Sequence, residues 1–227
     1  MFQLKLESVG GIFIKLGEIL TMKKQKIIAL TGPIAAGKNA VADILSSQGY
    51  SVIDADLVAH RAINKASATI YETFKTQAEE LGLKILNDDG TINRRNLAPI
   101  IFSKPENILL QEKIVHPLVD EMLQEFIDEH KDATVIINAT VLYKSEIMKQ
   151  CSAIFFVTAW QCIRFFRIKK RNNLPAKEIF ARFLSQKNIF AKYKKINADI
   201  YVIRNNFSRK KLTQKVLKVI SQCEQQG

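Results

Sequence analysis

The chain is short of acid. Against 34 lysines and arginines it carries 22 aspartates and glutamates, a net charge of +12 and a pI near 9.6. That excess fits an anionic ligand or nucleic acid and does not choose between them. Cysteine is scarce too. Cys151, Cys162 and Cys223 show neither metal-ligand spacing nor a disulfide framework, which excludes a zinc ribbon and fits a reducing cytoplasm. No apolar run approaches the roughly 20 residues needed to cross a bilayer, so no membrane partner is expected. Internal repeats and low-complexity tracts are also missing. What remains, 227 residues of which 47% are hydrophobic, is enough to bury one α/β core with a helical insertion.

Residues 1–21 stand apart. The mildly apolar stretch from Gly10 to Leu20 is interrupted by Lys15 and Glu18, and no small-residue cleavage site follows, so a signal peptide is not expected. Met22 directly precedes Lys23-Lys24-Gln25 and the first strand, where such a domain would naturally begin. The segment before it reads as a translated upstream segment or a loosely ordered extension, with a membrane-surface amphipathic anchor as the weaker reading.

The informative segment is Gly32-Pro33-Ile34-Ala35-Ala36-Gly37-Lys38-Asn39. It nearly completes the phosphate-binding pattern G-x-x-x-x-G-K-[ST]. In that pattern, glycines let backbone N–H groups wrap a polyphosphate, lysine reaches the β/γ-phosphates and the hydroxyl ligates magnesium. Here Asn39 replaces the hydroxyl, and its amide oxygen is the candidate metal ligand. Lys26–Thr31 is a short apolar run that predicts a buried parallel strand, and Ala40, Val41, Ile44 and Leu45 predict a helix starting near Gly37. A strand that enters a glycine-bounded turn and leaves as a helix aims free N–H groups at an anion.

Four further strands are predicted, over 51–56, 134–139, 153–159 and 199–205, with helical patterns between them. The arrangement is that of a doubly wound parallel sheet. Residues 57–132 carry no convincing strand. They hold helical segments separated by the Asn87-Asp88-Asp89-Gly90 turn and by breaks at Pro105 and Pro117, and read as a helical substrate domain. Asp54-Ala55-Asp56 closes the second strand, where ligands sit beyond the carboxyl ends of an open sheet. Alternation would put Asp54 and Asp56 on one face, and a carboxylate there can take a proton from an attacking hydroxyl or hold metal-bound water. From Gln161 to Lys195 come eleven basic residues and one acid, Glu178. Arg167 and Arg171 share a helix face, Pro175 suits the first turn of a second helix, and Arg182 and Gln186 lie one turn apart on it. Most of these cations read as a solvated face. Arg171 and Arg182 are the exceptions, candidates for closing over phosphates.

From about Lys24 to about Asn206 the chain resembles the bacterial dephospho-coenzyme A kinases. Leu30-Thr31-Gly32 leads into the loop, followed by Val52-Ile53-Asp54-Ala55-Asp56, then Asp89 to Leu97, Ile101-Phe102 and His116-Pro117-Leu118-Val119. Arg167 and Arg171, Arg182 with Gln186, and Ala198-Asp199 before Asn205-Asn206 close the series. Each match is weak, but their order is specific. The resemblance implies a three-layer P-loop kinase core with a five-stranded parallel sheet, a helical coenzyme-A-binding insertion over 57–132 and a helical lid over 161–195. It implies ATP and magnesium as cofactors, and phosphorylation of the ribose 3′-hydroxyl of dephospho-coenzyme A as the last step of coenzyme A biosynthesis. By the same resemblance Gly32, Ala35, Ala36, Gly37, Lys38, Asn39 and Ala40 bind the nucleotide, Asp56 is the base, and Lys38 and Arg171 face the transferring phosphate. Thr31, Asp54, His116 and Arg182 lie toward the substrate.

The departures are local. Where the family usually ends its loop Gly-Lys-Ser-Thr, this chain reads Gly37-Lys38-Asn39-Ala40, and Ala35-Ala36 replaces Gly-Ser. Where the family has Pro-Leu-Leu-x-Glu, it reads Thr140-Val141-Leu142-Tyr143-Lys144, so an acid has become a base. Two other readings stay open at this point. One is a P-loop kinase acting on another nucleotide or nucleoside. The other is a non-catalytic nucleotide- or nucleic-acid-binding relative, which ranks last because the basic arm offers few stacking aromatics besides Phe165 and Phe166. A monomer or small homo-oligomer is expected.

Overall fold

The computed structural model describes residues 25–225; the N-terminal extension read from the sequence lies outside them. Five strands form one parallel sheet: β1 (Ile27–Thr31), β2 (Ser51–Asp54), β3 (Val135–Asn138), β4 (Ala153–Thr158) and β5 (Asp199–Arg204), in the order β2-β3-β1-β4-β5. Alternation along β1 sends Ile27 and Ala29 into one apolar layer and Ile28 and Leu30 into the other, so the central strand is buried on both faces. Helix α1 (Lys38–Ser47) follows β1 and buries Val41, Ala42, Ile44 and Leu45 on one side of the sheet; the last helix, α9 (Arg209–Gln225), covers the same side with Leu212, Val216 and Ile220. Full burial of each valine, leucine or isoleucine among them stabilises the fold by about 1.5–3 kcal/mol.

Between β2 and β3 stand α2 (Ala55–Lys65), α3 (Ser67–Glu80), α4 (Arg94–Ile101) and α5 (Pro105–Glu129). They enclose a core of their own around Ile70, Phe74, Leu97 and Ile100. Two sequence expectations are corrected here. Pro117 does not break a helix: it lies inside α5, where the helix passes from the insertion core, with Val115, to the sheet core, with Leu123 and Ile127. Burial on both sides of it offsets the backbone hydrogen bond that proline removes. Pro105, by contrast, opens that helix at its first turn.

The second correction concerns β2, which stops at Asp54 rather than running to Asp56. The Asp54 side chain accepts hydrogen bonds from the amides of Asp56 (2.9 Å) and Leu57 (3.2 Å), capping α2 and turning the chain out of the sheet. Asp56 therefore lies in the first helical turn and does not share a strand face with Asp54.

After β4 the basic segment folds as α6 (Gln161–Asn172), α7 (Ala176–Ser185) and the short α8 (Ile189–Tyr193), with Pro175 as the residue just ahead of α7. Ile168, Ile179 and Phe183 form a small core here, and Ile34 and Ala35 of the phosphate-binding loop pack against it. The arm and the loop are thus one packed unit.

Candidate active site

The loop between β1 and α1 is shaped by two close approaches. A Cβ at Gly32 would lie 2.1 Å from the Val157 carbonyl oxygen, and one at Gly37 would lie 2.1 Å from Asn205 Nδ2; both residues have positive φ. Ala35 also sits at φ 59°, in the left-handed region, at a position where the family usually has glycine. A non-glycine residue there costs on the order of 1–2 kcal/mol.

The strain is overcome by donors arriving from outside the loop. Arg164 Nε donates to the Ile34 carbonyl (2.8 Å), and Arg167 Nη1 donates to those of Ala35 and Ala36 (3.2 Å each). Asn205 Nδ2 donates to Ala36 O (2.9 Å), while Gln186 Oε1 accepts from the Ile34 amide (2.7 Å). With the carbonyls held from behind, the start of α1 has no side-chain cap and no acid in its first turn, leaving its amides available to an anion. A cavity of about 200 Å³ opens there, lined by Ala35, Gly37, Lys38, Asn39, Arg167 and Arg171.

Lys38 Nζ donates to Gly32 O at 3.3 Å. Burial pushes its pKa down, opposed by the negative charges of Asp56 and Asp54. Asp56 shows the mirror effect. Its carboxylate is exposed at the cleft, yet the protein around it removes enough water to raise its pKa, with Lys38 the main opposing influence and Thr140 a hydrogen-bond partner. The two groups sense each other directly, which joins the loop cavity to a second one. That second cavity, about 360 Å³, is lined by Asp56, Val115, His116, Val119, Asp120, Val141 and Lys144 among others. Lys144 pairs across it with Glu112 of α5 at 2.5 Å.

The sheet register explains this meeting. Asn138 at the end of β3 lies level with Leu30 of β1 on one side and with Asp54 of β2 on the other. Its Nδ2 donates to Asn39 Oδ1 (3.2 Å) and, at 3.5 Å, to Asp54 Oδ2, tying the start of α1 to the start of α2.

Of the residues read from sequence, Ala35, Gly37, Lys38, Asn39 and Arg171 gather at the first cavity, and Asp56 and His116 at the second. Gly32 is buried against Val157 of β4, Ala36 is buried in the apolar layer between the sheet and α1, and Ala40 packs against that layer. Asp54 serves as the α2 cap. Thr31, expected near substrate, has no exposed surface: its hydroxyl donates to Thr140 O (3.3 Å) and bonds Tyr193, so it supports the site from beneath. Arg182 is exposed on α7 and lines neither cavity. A larger groove of about 540 Å³ beneath α7 contains neither Lys38 nor Asp56 in its walls.

Arg164, Arg167, Gln186, Asn205 and Asn138 were not among the expected site residues. The first four carried a weak signal as members of the basic segment and of the late motifs. Asn138 carried none, because a lone amide at a strand end has no pattern to match.

The family model for dephospho-CoA kinase matches residues 26–211. The chain belongs to the dephospho-CoA kinase family. A dephospho-CoA kinase of Treponema denticola is 33% identical over 198 residues, covering 86% of this chain and 88% of the relative, and one of Staphylococcus aureus is 32% identical over 166 residues, covering 72% and 78%. Among solved structures, the TT1252 protein of Thermus thermophilus superposes with a TM-score of 0.74 at 29% identity, over 87% of this chain and 97% of its own. The dephospho-CoA kinase of Campylobacter jejuni gives 0.60 at 24% identity and supports the fold. Among the described residues no helix is long and apolar enough to cross a membrane.

Proposed function

We propose that this member of the dephospho-CoA kinase family transfers the γ-phosphoryl group of ATP to the ribose 3′-hydroxyl of dephospho-coenzyme A. One observation carries the reading: a loop built to hold phosphates and a carboxylate with a raised pKa meet through Lys38 and Asp56, each affecting the other's ionisation. Phosphoryl transfer asks the protein chiefly for positioning and charge neutralisation. The loop amides and Lys38 hold the transferring phosphate, and Arg171, beside them in the same cavity, neutralises charge as the group moves. Asp56 accepts the proton of the attacking hydroxyl, and the cavity beside it, walled by α5, receives the acceptor. The arm α6–α7 acts as the lid.

The donor set suits magnesium that arrives with its nucleotide. Asp54 at the carboxyl end of β2 and Asp56 in the first turn of α2, joined by the Asp56 amide donating to Asp54 Oδ1 at 2.9 Å, are the carboxylates that would hold it. Magnesium commonly takes one or two carboxylates, directly or through water, with phosphate oxygens completing its shell. When bound, it would spread the negative charge of the β- and γ-phosphates.

Purified protein with ATP, magnesium and dephospho-coenzyme A should form coenzyme A and ADP in equal amounts. No coenzyme A at saturating substrates would sink the proposal, and turnover of another nucleoside in its place would reassign the acceptor.

A further inference from the structure

Asn39 stands where the loop pattern puts a magnesium-binding hydroxyl, and its oxygen is the atom a metal would use. That oxygen is already engaged: Asn138 Nδ2 donates to Asn39 Oδ1 at 3.2 Å. The orientation of the Asn138 amide is set by its other neighbour. Asp54 Oδ2, at 3.5 Å, can only accept, so the amide turns its N–H₂ toward Asp54 and Asn39. The reverse orientation would set two oxygens face to face. The consequence is visible on the far side of the same group: Asn138 is 4% exposed, and its Oδ1 is the buried side-chain polar atom left without a partner among the described residues. An orphaned buried oxygen is tolerated here in return for fixing Asn39. With its oxygen held against β3, Asn39 has only its own N–H₂ to present to the cavity it lines with Lys38, Arg167 and Arg171.

We infer that Asn39 is a phosphate hydrogen-bond donor rather than a metal ligand, and that Asn138 is the positioning residue that makes it one. The inference rests on the nucleotide-site reading above and departs from the expectation that Asn39 grips magnesium. A hydroxyl in this position would hand its oxygen to the ion. The amide instead places two N–H groups beside two arginines and a lysine, so the loop neutralises phosphate charge with protein donors. Nucleotide binding in this chain should therefore depend less on magnesium than a hydroxyl-bearing loop would require.

The test is ATP affinity, measured by calorimetry on the full chain with excess magnesium and again in EDTA, so that no turnover is needed. Asn39→Ala, at an exposed position that leaves the fold intact, should weaken ATP about tenfold in both conditions, as expected for losing one donor to a charged acceptor. Asn138→Leu should act on magnesium dependence. Leucine is close in size, adds no charge beside Asp54 and cannot donate, so Asn39 Oδ1 loses the bond that holds it against β3 and the amide is free to turn its oxygen toward the cavity. Metal-free ATP should then bind about fivefold more weakly, while binding with magnesium changes little. A melting curve establishes that Asn138→Leu is folded; if it is not, the Asn39→Ala pair of measurements decides. If Asn39→Ala weakens ATP only when magnesium is present, Asn39 is a metal ligand and the inference is overturned, as it is if folded Asn138→Leu leaves the ratio of the two affinities unchanged. Failure of the unsubstituted protein to bind ATP in either condition would overturn the nucleotide-site reading itself, and this inference with it.

Discussion

The two halves of the site are built differently. On the phosphate side, side chains from α6, from the residue after α7 and from the residue after β5 converge on the backbone of three consecutive residues, Ile34 to Ala36. The loop also shares an apolar core with the arm. On the acceptor side, the wall is a helix, α5, tied to its surroundings by the Lys144–Glu112 and Lys65–Glu121 pairs and by Ser145 donating to Asp120 at 2.5 Å. Exposed ion pairs of this kind are each worth about 0–1 kcal/mol. The hydrogen bonds to Ile34, Ala35 and Ala36 brace the phosphate side from within the protein itself, which suits a backbone cradle whose donors should not have to reorganise around a ligand. The helix α5 is itself anchored in both apolar cores, but the polar side chains that line its cavity are joined by contacts that water can replace, so these can rearrange where the backbone cradle cannot. Substitutions on the two sides should therefore fail in different ways.

Asp56→Asn, at the junction, should have the largest effect. Turnover should fall about 10²–10⁴-fold, the range for losing a positioned general base, while ATP affinity is kept. Stability should move the other way. A carboxyl whose pKa is raised by folding favours the protonated fold, and that contribution is lost as pH rises through the folded pKa. At neutral pH the neutral amide should therefore melt no lower than the parent. The same shifts draw the pH–rate profile inward. The acid limb should lie above the usual carboxylate range, because Asp56 must be ionised, and the alkaline limb below the usual lysine range, because Lys38 must stay charged. A profile that Asp56→Asn leaves with its acid limb intact would show that another group is the base.

The contrast between the halves also explains what the sequence could reveal. The phosphate loop was legible because its chemistry depends on backbone conformation, and backbone conformation forces glycine at Gly32 and Gly37. The sheet was legible because parallel strands buried on both faces are continuous apolar runs, as β1, β3 and β4 are. Asp56 could be picked out, but not its setting: Asp54 caps α2 two residues before the strand was expected to end, a local competition that a run of alternating residues conceals. Thr31 and Arg182 carried motif signals, yet the first is buried beneath the site and the second is exposed and lines neither cavity. The supports, Arg167, Asn205 and Asn138, act through carbonyls and amides up to 169 residues away. Only the fold brings such partners together.

Arg167→Ala tests whether the phosphate side is braced as one unit. It removes the donor to three carbonyls, those of Ala35, Ala36 and Asn205. Thermal unfolding should show a loss of about 1–3 kcal/mol, the range for stranding acceptors of a charged donor, together with weaker ATP binding. Arg171→Ala is the counterpart. That residue is exposed, and its Nε bonds only the neighbouring Asn172 among the described contacts. It should lower turnover and barely shift the melting temperature. Equal melting shifts from the two arginines would mean that the loop is not held in the way the hydrogen bonds indicate.

The smallest effect should come from the acceptor wall. Lys144 occupies a place where the family usually has glutamate, and its ammonium meets Glu112 across the cavity with side chains 43% and 29% exposed. Lys144→Met should cost at most about 1 kcal/mol of stability, because a solvent-accessible pair gains little over its separate hydration. Its signature should instead be kinetic. Glu112 would be left as an unpaired negative charge in the cavity proposed to receive the anionic acceptor, so KM for dephospho-coenzyme A should rise a few-fold while KM for ATP is unchanged. Adding Glu112→Gln should return KM toward the parent value, since it removes the charge that Lys144 had masked. If instead KM for ATP rises with Lys144→Met, the two halves are mechanically coupled, and the distinction between a fixed donor side and an adjustable acceptor side fails at its weakest contact.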